Sequence, residues 1–125
     1  MRVVGLDHVV FVVSDIEASV RWYQELLGVE VERLDDWRAG DAPFVSLRLD
    51  AGTVLDLFAG AEVPGTGIDH IALVVDGVDL AELTTRSDVS FEGPPATLWG
   101  AKGYGQGVYL RDPDGNLVEL RTYNT

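Results

Sequence analysis

His8 and His70 are the only two histidines in a chain of 125 residues, and they occupy matching places in two copies of one motif. Gly5-Leu6-Asp7-His8-Val9-Val10-Phe11-Val12-Val13 returns as Gly67-Ile68-Asp69-His70-Ile71-Ala72-Leu73-Val74-Val75. A single histidine in an apolar strand is more often a satisfied core residue. Two at repeat-equivalent positions are different, because a pseudo-twofold axis would bring both towards a common centre. Carboxylates follow the same symmetry, with Asp56 in Val54-Leu55-Asp56-Leu57-Phe58 and Glu119 in Leu117-Val118-Glu119-Leu120-Arg121. Each interrupts an apolar strand near the end of its repeat, where an unpaired buried carboxylate is expensive. A solvent-facing sheet, or a partner such as Arg48 or Arg111, is the alternative account. Two imidazoles with one or two carboxylates make a donor set for a first-row divalent metal. Imidazole suits Zn, Ni and Fe while carboxylate suits Mn and Mg, so the residue types leave the ion open. His8, His70 and Glu119 alone form the two-His-one-carboxylate set that keeps coordination positions free for substrate. Asp56 would complete four protein ligands, and Asp56 or Glu119, displaced from the ion, would be the natural general base.

The elements that must position these residues repeat as well. Ser14-Asp15-Ile16-Glu17 reads as a capping box with Ser14 as N-cap. Ile16, Val20, Tyr23 and Leu27 then recur at helical spacing, and Gly28 supplies a C-cap. Asp79 can cap a shorter helix from Leu80 to about Arg86. Strand-like runs fall at Val29 to Leu34, Phe44 to Leu49 and Thr53 to Phe58 in the first half. In the second they fall at Val89 to Phe91, near Thr97 to Trp99, at Gly107 to Arg111 and at Leu117 to Thr122. Asp112-Pro113-Asp114-Gly115-Asn116 is a hairpin-turn signal between the last two. Each half therefore reads β-α-β-β-β, with module 1 over about 1–60, a Pro/Gly connector over about 60–67 and module 2 over about 67–125. Neither half alone could bury its sheet face, so the expectation is one α+β domain of two modules.

Composition sets the outer bounds. Nine Lys and Arg against 21 Asp and Glu leave a net charge of −12, a sign that opposes phosphate backbones and anionic membrane surfaces. No apolar run approaches the ~20 residues of a bilayer span, and no secretory leader is expected. The absence of cysteine removes disulfides, thiolate metal sites and a cysteine nucleophile. A cytoplasmic protein without nucleic-acid or membrane partners is the expectation.

With these residues in place, the chain resembles the vicinal oxygen chelate superfamily, which includes glyoxalase I, fosfomycin-resistance proteins, extradiol dioxygenases and metal-free bleomycin-binding proteins. Leu6-Asp7-His8, Gly67-Ile68-Asp69-His70-Ile71-Ala72-Leu73 and the stretch from Tyr109 to Glu119 carry the resemblance most specifically. It implies paired modules forming a cupped, incompletely closed barrel, within one chain or exchanged across a homodimer. It also implies metal ligands at His8, Asp56, His70 and Glu119, holding Zn, Ni, Mn or Fe.

Three departures from the family's patterns stand out. Asp56 occupies a position where glyoxalase I has Glu. Gly100-Ala101-Lys102 stands where ring-cleaving dioxygenases place a histidine. Lys102 is the only lysine, a thin cradle for a phosphonate. Gly103-Tyr104-Gly105-Gln106-Gly107 reads as a flexible rim or lid beside the site. Trp37, Arg38, Trp99, Lys102, Tyr104 and Tyr109 are candidates for lining a substrate pocket. The activity implied is metal-dependent lyase, isomerase or addition chemistry of the glyoxalase kind, on a small molecule chelated through adjacent oxygens. An extradiol-type dioxygenase and a non-catalytic, bleomycin-resistance-like binding protein are the alternatives.

Overall fold

Alternating apolar residues make the strands and one 3.6-residue pattern makes the main helix, in the order the repeats require. The structure, a computed structural model, describes residues 1–60, 67–111 and 117–123. The hairpin signal Asp112-Pro113-Asp114-Gly115-Asn116 and most of the Pro/Gly connector lie outside the described residues. The elements are β1 (Arg2–Val13), α1 (Ile16–Leu27), β2 (Glu30–Glu32), α2 (Leu34–Arg38), β3 (Val45–Asp50) and β4 (Thr53–Ala59), followed by β5 (Ile68–Asp76), α3 (Leu80–Leu83), β6 (Ser90–Phe91), β7 (Ala96–Gly100), β8 (Gly103–Arg111) and β9 (Leu117–Thr122). The fold class is α+β, as the sequence predicts. Among the described residues no helix is long and apolar enough to cross a membrane.

The chain forms two compact units, one of Val9–Asp69 and one of Met1–His8 with His70–Thr125. In the Val9–Asp69 unit the strand order is β2-β3-β4-β1. Ile16 and Val20 of α1 pack on Val45 and Leu47 of β3 and on Leu55 and Leu57 of β4. Each such side chain contributes about 1.5–3 kcal/mol through burial. The N-cap of α1 is Asp15, whose carboxylate accepts from the Ala18 N–H, rather than Ser14. Glu17 instead accepts from Nε and Nη2 of Arg38, one bond to each carboxylate oxygen. A cap one residue later still satisfies an orphan helix donor, so the helix begins where the periodicity places it. Gly28 closes it with φ 66°. The extended run expected to reach Leu34 stops at Glu32, because Arg33 adopts φ 68° and opens the short helix α2.

In the second unit β9 lies between β5, which it pairs parallel, and β8, which it pairs antiparallel. β6 and β7 both pair β8. One sheet face carries Val75, Val108 and Leu120, covered by Leu80 and Leu83 of α3. Period-two alternation sends the intervening residues of β5, β8 and β9 to the other face. That opposite face holds the polar residues. The expected second helix to about Arg86 ends at Leu83, and the glycine-rich segment Gly103 to Gly107 is strand β8 rather than a flexible rim.

Candidate metal centre

The polar face is built by strand register. Ala72 of β5 pairs Glu119 of β9, and Glu119 pairs Tyr109 of β8 while Arg121 pairs Gly107. Alternation then places Glu119, Arg121 and the following Tyr123 on one side of β9, with His70 at the start of β5 on the same side. His8 enters from β1. Asp7, His8, His70, Glu119 and Arg121 are all buried, five ionisable side chains in one compact unit.

Three donor atoms converge. His8 Nε2 lies 3.3 Å from His70 Nε2, and Glu119 Oε1 lies 3.4 Å from each of those nitrogens. Neighbouring ligands of an ion bonded at about 2.0–2.2 Å have this mutual spacing. His8 Nδ1 donates to Asp7 Oδ2 at 2.7 Å, which leaves the Nε2 lone pair facing the other two donors. A carboxylate behind a ligating imidazole is the usual way to fix its tautomer and ring plane. Facing lone pairs need a positive species between them, a proton or a cation. Charge points the same way. Asp7 and Glu119 are opposed by one guanidinium, so the cluster carries one uncompensated negative charge when both imidazoles are neutral. The residues present therefore fit a divalent cation.

Electrostatics keep both carboxylates ionised. In the metal-free site burial alone would raise the Glu119 carboxyl, but hydrogen bonds with His70 and His8, the charge His8 carries when protonated and the Arg121 bond outweigh it, holding it well below the usual range. Asp7 likewise sits below its ordinary value. Burial is opposed there by bonds from His8, Tyr123 and the Ala101 N–H and by the charge of Arg121. Burial, together with donation to Asp7, pushes the Tyr123 hydroxyl up to about 12, so the phenol stays protonated.

The other sequence candidates are distributed as follows. Asp56 lies in the Val9–Asp69 unit, where it pairs with Ser46 across β3 and β4 and accepts from its Oγ at 2.6 Å. In the same unit Trp37 packs against the core under α1, and Arg38 bonds Glu17. The Tyr109 ring meets His70 edge-on at 5.3 Å. Trp99 and Tyr104 stack edge-to-face at 5.0 Å, both exposed. Lys102 Nζ stands 5.8 Å above the Tyr123 ring. Sequence reasoning gave no role to Asp7, Arg121 or Tyr123. The signal was present in the strand alternation Glu119-x-Arg121-x-Tyr123 and in the Asp that precedes each His.

Comparison with known proteins agrees with this architecture. The sequence profile of the Glyoxalase/Bleomycin resistance protein/Dioxygenase superfamily matches residues 5–120. A virulence protein of Salmonella typhimurium is 28% identical over 123 residues, covering 94% of this chain and 83% of that protein. The 3-methylcatechol 2,3-dioxygenase of Pseudomonas putida is 34% identical over 77 residues, 60% of this chain and 26% of the dioxygenase. The Mn(II)-bound glyoxalase from Novosphingobium aromaticivorans superposes with a TM-score of 0.72 at 25% identity, covering 97% of this chain and 39% of that one.

Proposed function

The chain belongs to the glyoxalase/bleomycin resistance protein/dioxygenase superfamily, and from that premise we propose that it is a divalent-metal-dependent enzyme of the glyoxalase kind. Its substrate is a small molecule that chelates through adjacent oxygens, and its reaction a lyase, isomerase or addition step. The observation that carries this reading is the convergence of His8 Nε2, His70 Nε2 and Glu119 Oε1 within 4.8 Å of one another. A divalent cation held by His8, His70 and Glu119 would supply a Lewis acid with positions left for two substrate oxygens. Asp7 holds the proton on His8 Nδ1 and keeps Nε2 available. Tyr123 and the Ala101 N–H in turn hold Asp7, so a donor on β1 is fixed from the opposite end of the chain. The Tyr109 ring packs edge-on against the His70 ring. A buried ionic cluster of this kind is costly to desolvate and contributes little to stability for its cost, which favours a metal-holding role over a purely structural one.

Polarising a carbonyl makes the neighbouring C–H acidic, so the direct test is exchange of that hydrogen with solvent deuterium, followed by NMR over a panel of 2-hydroxycarbonyl compounds and 2-oxo acids. Metal-dependent exchange that stops on chelation and is lost in His70→Ala supports the reading. A metal-loaded protein that exchanges none of them speaks against proton abstraction from such substrates. The dioxygenase relative supports a second reading, ring cleavage of a catechol with Fe(II). Oxygen uptake with catechols by the Fe(II)-loaded protein is its test. A homodimer in the cytoplasm is the working form under either reading, and the mass in solution by light scattering tests the dimer.

A further inference from the structure

Among the described residues Arg121 is the largest fully buried side chain, and its guanidinium is held from several directions. Nη1 donates to Glu119 Oε2 at 2.7 Å. Nη2 donates to the main-chain carbonyls of Leu98 at 3.0 Å and Gly103 at 3.3 Å, and Nη1 also reaches that of Trp99 at 3.5 Å. Nε faces Asp7 Oδ2 at 3.7 Å, and the Tyr123 ring lies 4.7 Å from Cζ. The space is made by glycines. A Cβ at Gly100 would collide with Cζ and Nη2 of Arg121 and with the Tyr123 hydroxyl, and one at Gly105 would meet the Thr122 carbonyl at 2.5 Å and Nη2 at 3.1 Å. Carbonyls of the β7–β8 hairpin thus lock the guanidinium in place, and it cannot follow a moving carboxylate.

This bears on Glu119. One oxygen, Oε1, faces both imidazole nitrogens, while the other is taken by Arg121. For Glu119 to leave the donor cluster and work as a base, its carboxylate must rotate and break a charge-assisted bond inside a buried site, where such bonds are strong. We propose that Arg121 is a positioning residue that pins Glu119 as a fixed, one-oxygen metal ligand and so excludes it from proton transfer to or from the substrate. The inference rests on the metal-enzyme reading above. It reverses the general-base role that the sequence suggests for Glu119.

The test compares the wild-type protein with Arg121→Met, which is close in volume but uncharged, and Arg121→Lys, which keeps a charge with fewer donors. Co(II) is the probe, read by its affinity and its visible spectrum, with circular dichroism to select folded variants. Arg121→Met is expected to bind Co(II) at least about tenfold more weakly, the range found for groups that support metal ligands, and with an altered spectrum. Arg121→Lys is expected to restore part of both. A folded Arg121→Met with wild-type affinity and spectrum overturns the proposal. Should neither variant fold, the infrared difference between Co(II)-loaded and metal-free wild type decides, with Glu119→Gln identifying the Glu119 bands. Widely separated carboxylate stretches, the mark of one-oxygen ligation, support the pin, and closely spaced ones overturn it. Wild-type protein that binds no Co(II) would overturn the metal reading itself, a failure distinct from unaltered binding in Arg121→Met.

Discussion

At the scale of single residues, two buried carboxylates do different work around one arginine. Asp7 is not one of the three converging donors, yet it sets the tautomer of His8 through a 2.7 Å bond. Asp7→Asn can accept at one oxygen but carries no charge, and a lost carboxylate behind a ligating histidine costs about 10–100-fold in metal affinity. Titration calorimetry with Mn(II) or Ni(II) reads that loss. The same carboxyl links stability to pH. Its folded value lies below the ordinary one near 4, so the unfolded chain binds its proton more readily. Asp7 therefore stabilises the fold above about pH 4, and that contribution fades as pH falls through the lower folded value. Glu119, also lowered, acts with the same sign. Urea midpoints of metal-free wild type should drop between pH 5 and about pH 3, and Asp7→Asn should show a shallower drop. The His pair was legible in the sequence because the repeat doubles it. Asp7 was not, because Asp69 of the second copy is exposed; only tertiary packing separates the two.

Among the elements, most strand runs and the start of α1 were legible to within a residue or two, and the exceptions have local causes. The Ile16, Val20, Tyr23 periodicity fixed α1, while the competition between Ser14 and Asp15 for the cap turned on which side chain reaches the Ala18 N–H. Asp15→Ala should cost about 1 kcal/mol and Ser14→Ala within about 0.5 kcal/mol, measured by urea denaturation; equal losses would argue for shared capping. The glycines of β8 misled in a more instructive way. Runs of glycine ordinarily signal flexibility, but Gly105 makes room for Thr122 and Arg121 of β9, and Gly107 for Leu98 of β7. Gly107 lies opposite Arg121, and a Cβ there would meet Leu98 Cδ1 at 2.7 Å. Gly100→Ala, which would collide with the guanidinium and the phenol directly, should destabilise by about 1–3 kcal/mol, the range for overpacking. It should also alter the Co(II) spectrum, because Arg121 must shift.

The whole molecule places an expensive cluster of buried charge on one face of a sheet whose other face is an ordinary apolar core. Val9–Asp69 forms a second compact unit with its own core of six buried aliphatic side chains. The partition does not follow the repeat: residues 1–8 join the second half of the chain, which is how a histidine from the first copy of the motif reaches the one from the second. The pattern of residues could announce the repeat but not this exchange, since a strand's partner is set by packing rather than by order in the chain. Because imidazole must be neutral to bind a metal, metal loading should release protons and affinity should decline in acid. The account stands most directly on metal stoichiometry, measured in protein purified without a histidine tag and incubated with Ni, Zn, Mn and Fe(II). It predicts about one ion per chain, as expected for a single two-His-one-carboxylate centre, with binding lost in both His8→Ala and His70→Ala. No bound ion under any of these conditions, or full binding in either variant, would contradict it.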